Sequence, residues 1–277
     1  MVSGSTMPVG TECCSGYQLQ RQRGRGECST VWEADRNDGK LVALKFLACA
    51  DNSAAAQEIR SIQVVRGLRH AHLARVEQVW CSPGYVVVAM ELADGSLLDL
   101  LEAFQMEFHT PPAARDVCNC LTQVARALDF LNARQHLLDG QRVGIQHGNI
   151  KPTNLLLFGE TVKISDFGLA TPTGAPVKVH QRAGTWGYAA PEVLQGRLSD
   201  WTDQYALAAT YCRLRTGRLP FPENPESLAL IGQRPEPDLS LLPASEQRVI
   251  ARALNPVPQS RWPSCGELMA QLNRLQA

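Results

Sequence analysis

The stretch His147-Gly148-Asn149-Ile150-Lys151-Pro152-Thr153-Asn154, then Leu155-Leu156-Leu157, then Val162-Lys163-Ile164-Ser165-Asp166-Phe167-Gly168, decides how this chain is read. Two amides, a lysine and a carboxylate gather there around a short apolar run. Lysine is scarce, occurring only at positions 40, 45, 151, 163 and 178, so its presence at 45 and 151 carries information. Downstream the chain continues through Gly184-Thr185-Trp186-Gly187-Tyr188-Ala189-Ala190-Pro191-Glu192. Upstream, Val42-Ala43-Leu44-Lys45 reads as a strand, and Glu58 follows on a helical pattern. A lysine projecting from a strand is costly to bury unpaired, and an acidic side chain on a packed helix offers the compensating charge. Further upstream, Gly24-Arg25-Gly26-Glu27-Cys28-Ser29-Thr30-Val31 lies between two predicted strands. Such a segment suits a hairpin whose backbone N–H groups meet phosphate oxygens, or else an ordinary glycine-containing β-turn; Ser29 occupies the third glycine slot.

The rest of the pattern divides in two. Met1 to Gly16 is rich in Ser, Gly and Thr, lacks apolar periodicity and reads as a mobile arm. Tyr17 to Leu47 alternates apolar and polar residues around the hairpin signal Asn37-Asp38-Gly39. Ala54 to Leu68 switches to a helical period, with Ile59, Ile62 and Val65 on one face and Asp51-Asn52-Ser53 as cap candidates. Strands are expected over Leu73 to Cys81 and Tyr85 to Glu91, turning at Ser82-Pro83-Gly84. Beyond Asp94-Gly95 helices are expected over Ser96–Phe104, Ala113–Asn132, Trp201–Arg215, Ser245–Ala253 and Cys265–Gln276, with Gln135 to Val143 as a loop. The expectation is an α+β chain: a strand-rich lobe with one helix, then a helical lobe. The junction near Leu92 to Gly95 is the natural place for a cleft.

In these motifs, their order and their spacing, the chain resembles the protein kinase superfamily from about Tyr17 to Leu275. The resemblance implies a bilobal fold: a small antiparallel sheet lobe over about 17–92 and a larger, mainly helical lobe over about 95–275, preceded by the arm 1–16. It also implies ATP and magnesium as ligands and protein hydroxyls as substrate. Lys45 would hold the α and β phosphates and pair with Glu58, while Asn154 and Asp166 would hold magnesium, whose hardness suits an amide oxygen and a carboxylate. Gly24 and Gly26 would lie over the phosphates. Val31, Ala43 and Leu156 would wall the adenine, and Met90-Glu91-Leu92-Ala93 would be the hinge, with Glu91 and Ala93 meeting the purine edge. Asp203 resembles the buried anchor of the catalytic loop, and Arg261 the partner of Glu192. Lys151 beside Pro152, with Thr185, resembles the serine/threonine branch.

The chain departs from the family at His147-Gly148-Asn149, where the family carries His-Arg-Asp. An asparagine keeps an acceptor oxygen to orient a hydroxyl but has no useful base near neutral pH, and base assistance is typically worth ~10²–10⁴ in rate. The transition state of this transfer is loose in most analyses, so positioning alone can sustain turnover. Gly148 in place of arginine removes the usual partner for a phosphate on the activation segment, so phosphorylation of Thr171 or Thr173 is expected to change little. Three readings stay open: a serine/threonine kinase weakened by Asn149, a pseudokinase that binds nucleotide and a partner without transfer, and an engineered asparagine in an active enzyme.

Composition narrows the class further. The 277 residues carry 27 basic and 27 acidic side chains, which argues against coating nucleic acid. The longest wholly apolar run, Tyr85 to Met90, is far short of the ~20 residues of a membrane span, and no basic-then-apolar leader is present, so a cytosolic protein without membrane contact is expected. Nine scattered cysteines without a C-x-x-C pair indicate neither a disulfide framework nor zinc. The pair His70-x-His72 lacks a third metal ligand.

Overall fold

The computed structural model describes residues 12–14, 16–26, 29–49, 56, 59, 62, 67–138, 140–175, 186–221 and 234–276. The chain forms two compact units. One comprises Met1–Gly67 with Ala74–Ala93, the other Leu68–Leu73 with Asp94–Ala277.

The first unit is built on a six-stranded antiparallel sheet of β1 (Glu12–Cys14), β2 (Tyr17–Arg25), β3 (Ser29–Arg36), β4 (Leu41–Ala48), β5 (Val76–Ser82) and β6 (Tyr85–Glu91), in the order β1-β2-β3-β4-β6-β5. The Asn37-Asp38-Gly39 signal makes the β3–β4 turn, where Gly39 takes the left-handed conformation that glycine reaches at no steric cost. Alternation along β4 sends Val42, Leu44 and Phe46 into one core with Leu19, Trp32, Val87 and Ala89. Ala43 goes to the other face, with Val86, Val88, Met90 and the helical residue Ile62. Of the described residues in the expected helix 54–68, Ala56, Ile59 and Ile62 are helical, while Gly67 is in a turn and Leu68 lies outside any element, so the helix stops short of the expected end. β5 begins three residues later than expected, because Leu73 belongs to the second unit, where it bridges Ile164.

One expectation at this end of the chain changes. Glu12–Cys14, placed in the mobile arm, pairs antiparallel with β2 around Gly16. Three residues are too few to show a period in sequence.

The second unit is helical around α4 (Thr202–Thr216), whose residues Thr202 to Cys212 are all buried. α2 (Ala114–Asn132) packs against α4 and against α6 (Cys265–Arg274), and α5 (Ala244–Ala253) packs on the same pair. α1 runs over Leu97–Phe108 from a capping box between Ser96 and Asp99. It continues past the expected end at Phe104, since Gln105, Met106 and Glu107 favour helix, and stops at His109, which is left-handed. α3 (Pro191–Leu194) is a single turn.

Small sheets carry the loops: β7 (Gly95–Ser96), β11 (Leu155–Phe158) and β12 (Thr161–Ile164) form one, and β10 (Ile145–Gln146) pairs with β13 (Thr171–Pro172). The expected loop Gln135–Val143 is instead a hairpin of β8 (His136–Leu138) and β9 (Gln141–Val143) turning at left-handed Gly140. Its strands are too short for alternation to register, and the Asp139-Gly140 turn signal was the readable part. His70 and His72 fasten Leu68–Leu73 to the second unit: the His72 N–H donates to His70 Nδ1 (3.1 Å), and His72 Nδ1 pairs with the Val162 carbonyl (3.0 Å). Among the described residues Cys81, Cys118, Cys120, Cys212 and Cys265 are free thiols.

Candidate active site

In the second unit the loop after β10 carries the chemistry, and backbone groups hold it in place. Asp203, at the start of α4 and buried, accepts the His147 N–H at Oδ2 (2.5 Å) and the Gly148 N–H at Oδ1 (2.8 Å). Two N–H groups received by a buried carboxylate favour its charged form and offset the cost of burying it. The turn passes through a left-handed Gly148 (φ 70°), a conformation costing a non-glycine residue ~1–2 kcal/mol. Glycine in this slot therefore removes backbone strain as well as a charge.

His147 is a second pin. Its Nδ1 accepts the Asn149 N–H (3.2 Å), which leaves the proton on Nε2 to donate to the Ser165 carbonyl (3.0 Å). Its ring meets Phe167 edge-on with centroids 4.9 Å apart. The imidazole thereby joins the turn before Asn149 to the residues on either side of Asp166. Nothing local in the sequence announced this role for His147, since Ser165 and Phe167 lie some way off along the chain.

Asn149 and Asn154 face each other through complementary groups. Asn154 Nδ2 donates to the Asn149 carbonyl (2.8 Å), and the Asn154 carbonyl accepts from Ser165 N (2.9 Å) and Ser165 Oγ (3.1 Å). The side chain of Asn149 donates from Nδ2 to Asp166 Oδ2 (3.0 Å). Only the NH₂ end of an amide can face a carboxylate, so this bond sets the amide's orientation. The other end, Asn149 Oδ1, is buried and accepts no hydrogen bond. Asp166 itself is left-handed at φ 65°, a strained conformation for a non-glycine residue. Lys151, extended at φ −161°, leads into a 3-10 turn over Pro152–Asn154.

Asn149 also lines a small surface hollow together with Gly148, Ile150, Tyr188, Ala190 and Asp203. Arg234, absent from the expected site, supports its wall by donating to the Trp186 and Ala189 carbonyls, with its guanidinium 4.5 Å from the Phe221 ring centre. Below it, Glu192 and Arg261 form the expected buried pair, with both nitrogen–oxygen contacts at 2.8 Å. Ser199 and Thr202 hydroxyls, each 2.9 Å away, complete the carboxylate. Burial pushes the Glu192 carboxyl up, but the Arg261 hydrogen bonds and charge outweigh it and hold the group below the usual carboxylate range.

In the first unit, Lys45 is half-buried on β4 opposite Val31 on one side and Val88 on the other. Period-two alternation puts it on the face of Ala43, so Val31, Ala43 and Lys45 are neighbours. Gly24 sits opposite Val31 at an irregularity of the β2–β3 ladder, and the Gly26 N–H donates to the Ser29 carbonyl (2.7 Å). A Cβ on Gly26 would meet Ser29 Oγ at 3.0 Å. The Glu91 carboxylate accepts the Arg75 N–H (2.8 Å), and the Ala93 carbonyl accepts from Arg23 (3.4 Å). Leu156 lies in the second unit on β11, opposite Lys163 and Ser96. Glu58 and Thr185 lie outside the described residues.

The donor set of Asn154 and Asp166 consists of oxygens. Asn154 has its NH₂ committed to the Asn149 carbonyl, so its amide oxygen is the end available to a ligand. An amide oxygen and a carboxylate suit a hard cation such as magnesium. No cluster of three or more His, Cys, Asp and Glu side chains placed to hold a metal occurs among the described residues.

A family model described as protein kinase domain matches residues 17–271. Among curated proteins, CBL-interacting protein kinase 4 of Oryza sativa subsp. japonica is 32% identical over 259 residues, covering 88% of this chain and 54% of its own. Serine/threonine-protein kinase PknJ of Mycobacterium tuberculosis (strain ATCC 25618 / H37Rv) is 33% identical over 274 residues, covering 91% of this chain and 44% of its own. The chain thus spans about half the length of these relatives. The crystal structure of a mutant Mycobacterium tuberculosis PknI kinase domain superposes with a TM-score of 0.76 at 26% identity, covering 99% of this chain and 100% of that one.

Proposed function

Because this chain belongs to the protein kinase superfamily, serine/threonine type, we propose that it binds ATP with magnesium and transfers the γ-phosphate to protein serine or threonine hydroxyls at a rate lowered by Asn149. The observation that carries this reading is that the loop around Asn149 keeps its full set of supports: the Asp203 clamp, the His147 pin and the Asn154 and Asp166 contacts. When bound, magnesium supplies charge neutralisation on the phosphate oxygens.

The chain's own groups do the rest. Asn154 and Asp166 offer oxygens to the cation, Lys45 offers an ammonium to the phosphates, and Asn149 Oδ1 accepts the O–H of the incoming hydroxyl and orients it. The bond from that oxygen to the γ-phosphorus forms as the bond to the ADP oxygen breaks, and the hydroxyl proton leaves to a phosphate oxygen or to water. Missing base assistance of ~10²–10⁴ lowers the rate without removing positioning. Lys151, next to the transfer point in sequence, and Glu58, pairing Lys45, complete the assignment. Gly24 and Gly26 lie over the phosphates, and Val31, Ala43, Glu91, Ala93 and Leu156 enclose the adenine.

A second reading has its own observation: position 149 carries no group that can take a proton. Under it the chain is a pseudokinase that uses nucleotide to present a surface to a partner protein. Transfer from γ-labelled ATP to a generic protein substrate separates the two, comparing this chain with Asn149→Asp and Asp166→Ala. Label from this chain but not from Asp166→Ala supports the enzyme; label from Asn149→Asp alone sinks it in favour of the binding module. Nucleic acid is not a partner in either reading. Among the described residues no helix is long and apolar enough to cross a membrane, and we place the chain in the cytosol.

A further inference from the structure

Position 149 does two things at once in this fold. Its NH₂ is spent on a carboxylate oxygen of Asp166, and its carbonyl oxygen is buried with no partner. The asparagine makes an attractive N–H···O contact with this carboxylate.

The Asp166 backbone is left-handed, and it opens a 3-10 turn over Phe167–Leu169 without capping it through its side chain. His147 secures the carbonyl before Asp166 and the ring after it, and the Asn149 amide reaches the carboxylate itself. It is in turn fixed at both ends of its own backbone, its N–H on His147 Nδ1 and its carbonyl under Asn154 Nδ2.

We propose that Asn149 is a positioning residue for the divalent-cation ligand Asp166: its amide N–H tethers the carboxylate and so presets it for the metal. The inference rests on the kinase-type reading above and extends it. The position where the family keeps a base here works as an outer support of the cation site. Partners that orient a metal ligand are typically worth ~10–100-fold in metal affinity, which sets the size of the effect.

Manganese serves as the probe, its binding to the full chain counted from the loss of the free-ion electron paramagnetic resonance signal with ADP present. Asn149→Leu, close to isosteric and without a donor, is expected to weaken Mn²⁺ by about tenfold or more. ADP affinity in EDTA should stay within about twofold, because the amide touches the cation ligand and not the base or sugar. Asn149→Ala guards against a packing artefact and should behave alike, and a melting curve for each variant establishes that it is folded. A second measurement needs no substitution at 149: the Asn149 side-chain N–H signals in a ¹⁵N spectrum should shift in Asp166→Ala. Mn²⁺ affinity within about twofold of the parent in both folded variants overturns the proposal. If the parent binds ADP, that outcome refutes the tether alone, whereas a parent that binds neither ADP nor Mn²⁺ refutes the kinase-type reading and the tether with it.

Discussion

Gln146 and Asn149 are two buried amides three residues apart, and the fold treats them in opposite ways. Gln146 donates from Nε2 to Asn132 Oδ1 (2.9 Å) and accepts the Asp203 N–H at Oε1 (3.2 Å), so both ends are used within the protein. Asn132 passes the link on to the Asp200 carbonyl (2.8 Å), tying α2 to the start of α4. Asn149 has one end used and the other unpaired. The Gln146 amide ties two helices together, whereas the one side-chain bond of Asn149 goes to the Asp166 carboxylate. Glu192–Arg261 extends the first class to charges, since every contact of that pair is internal.

The sharpest break in that comparison comes from the fully paired class. Arg261→Ala leaves Glu192 buried with two hydroxyls and no cation, and the expected loss is about 3–5 kcal/mol in denaturant unfolding. Acid tests the same pair without mutation. The folded Glu192 carboxyl lies below its unfolded value, so its stabilisation is complete above the unfolded carboxylate pKa of about 4.3 and disappears as pH falls through the folded value. Melting temperature in that window should drop more steeply for this chain than for Arg261→Leu with Glu192→Leu, where the pair is gone.

Gln146→Leu should cost about 1–3 kcal/mol, because it strands the Asp203 N–H and one face of Asn132. Gly148→Arg restores the side chain found in the family at the cost of a left-handed non-glycine residue, about 1–2 kcal/mol. Asn149→Leu closes the series: it removes the unpaired oxygen along with one hydrogen bond, so stability should move by less than about 1 kcal/mol while phosphotransfer and Mn²⁺ affinity fall. A loss at Asn149→Leu equal to that at Gln146→Leu would erase the distinction between the two amides. Thr171→Glu and Thr173→Glu should raise transfer no more than severalfold. Thr171 Oγ1 already donates to the Leu169 carbonyl (2.9 Å), and Thr173 Oγ1 receives Gln146 Nε2 at 3.4 Å. A larger gain would mean that another cation has taken over from the absent arginine.

Much of this was readable before any coordinates. The β3–β4 turn, the helical period through Ile59 and Ile62 and the long amphipathic α2 follow from local pattern, and the Glu192–Arg261 partnership from the family resemblance. The misses share a cause. β1, β8 and β9 have three residues each, too few for a period of two to repeat, and α1 outran its expected end because its stop is a left-handed histidine instead of a glycine. Arg234 was invisible because its partners are carbonyls of Trp186 and Ala189, and main-chain acceptors leave no mark in sequence.

Motif order and hydrophobic period are properties of the chain alone, and they were enough for the superfamily, the two-part α+β plan and the groups at 45, 149, 154 and 166. What position 149 does with its amide came from the fold. Direction of donation, pairing of one end and burial of the other depend on where Asp166, His147 and Asn154 come to rest around it. Those are distances in space, which no spacing along the chain prescribes.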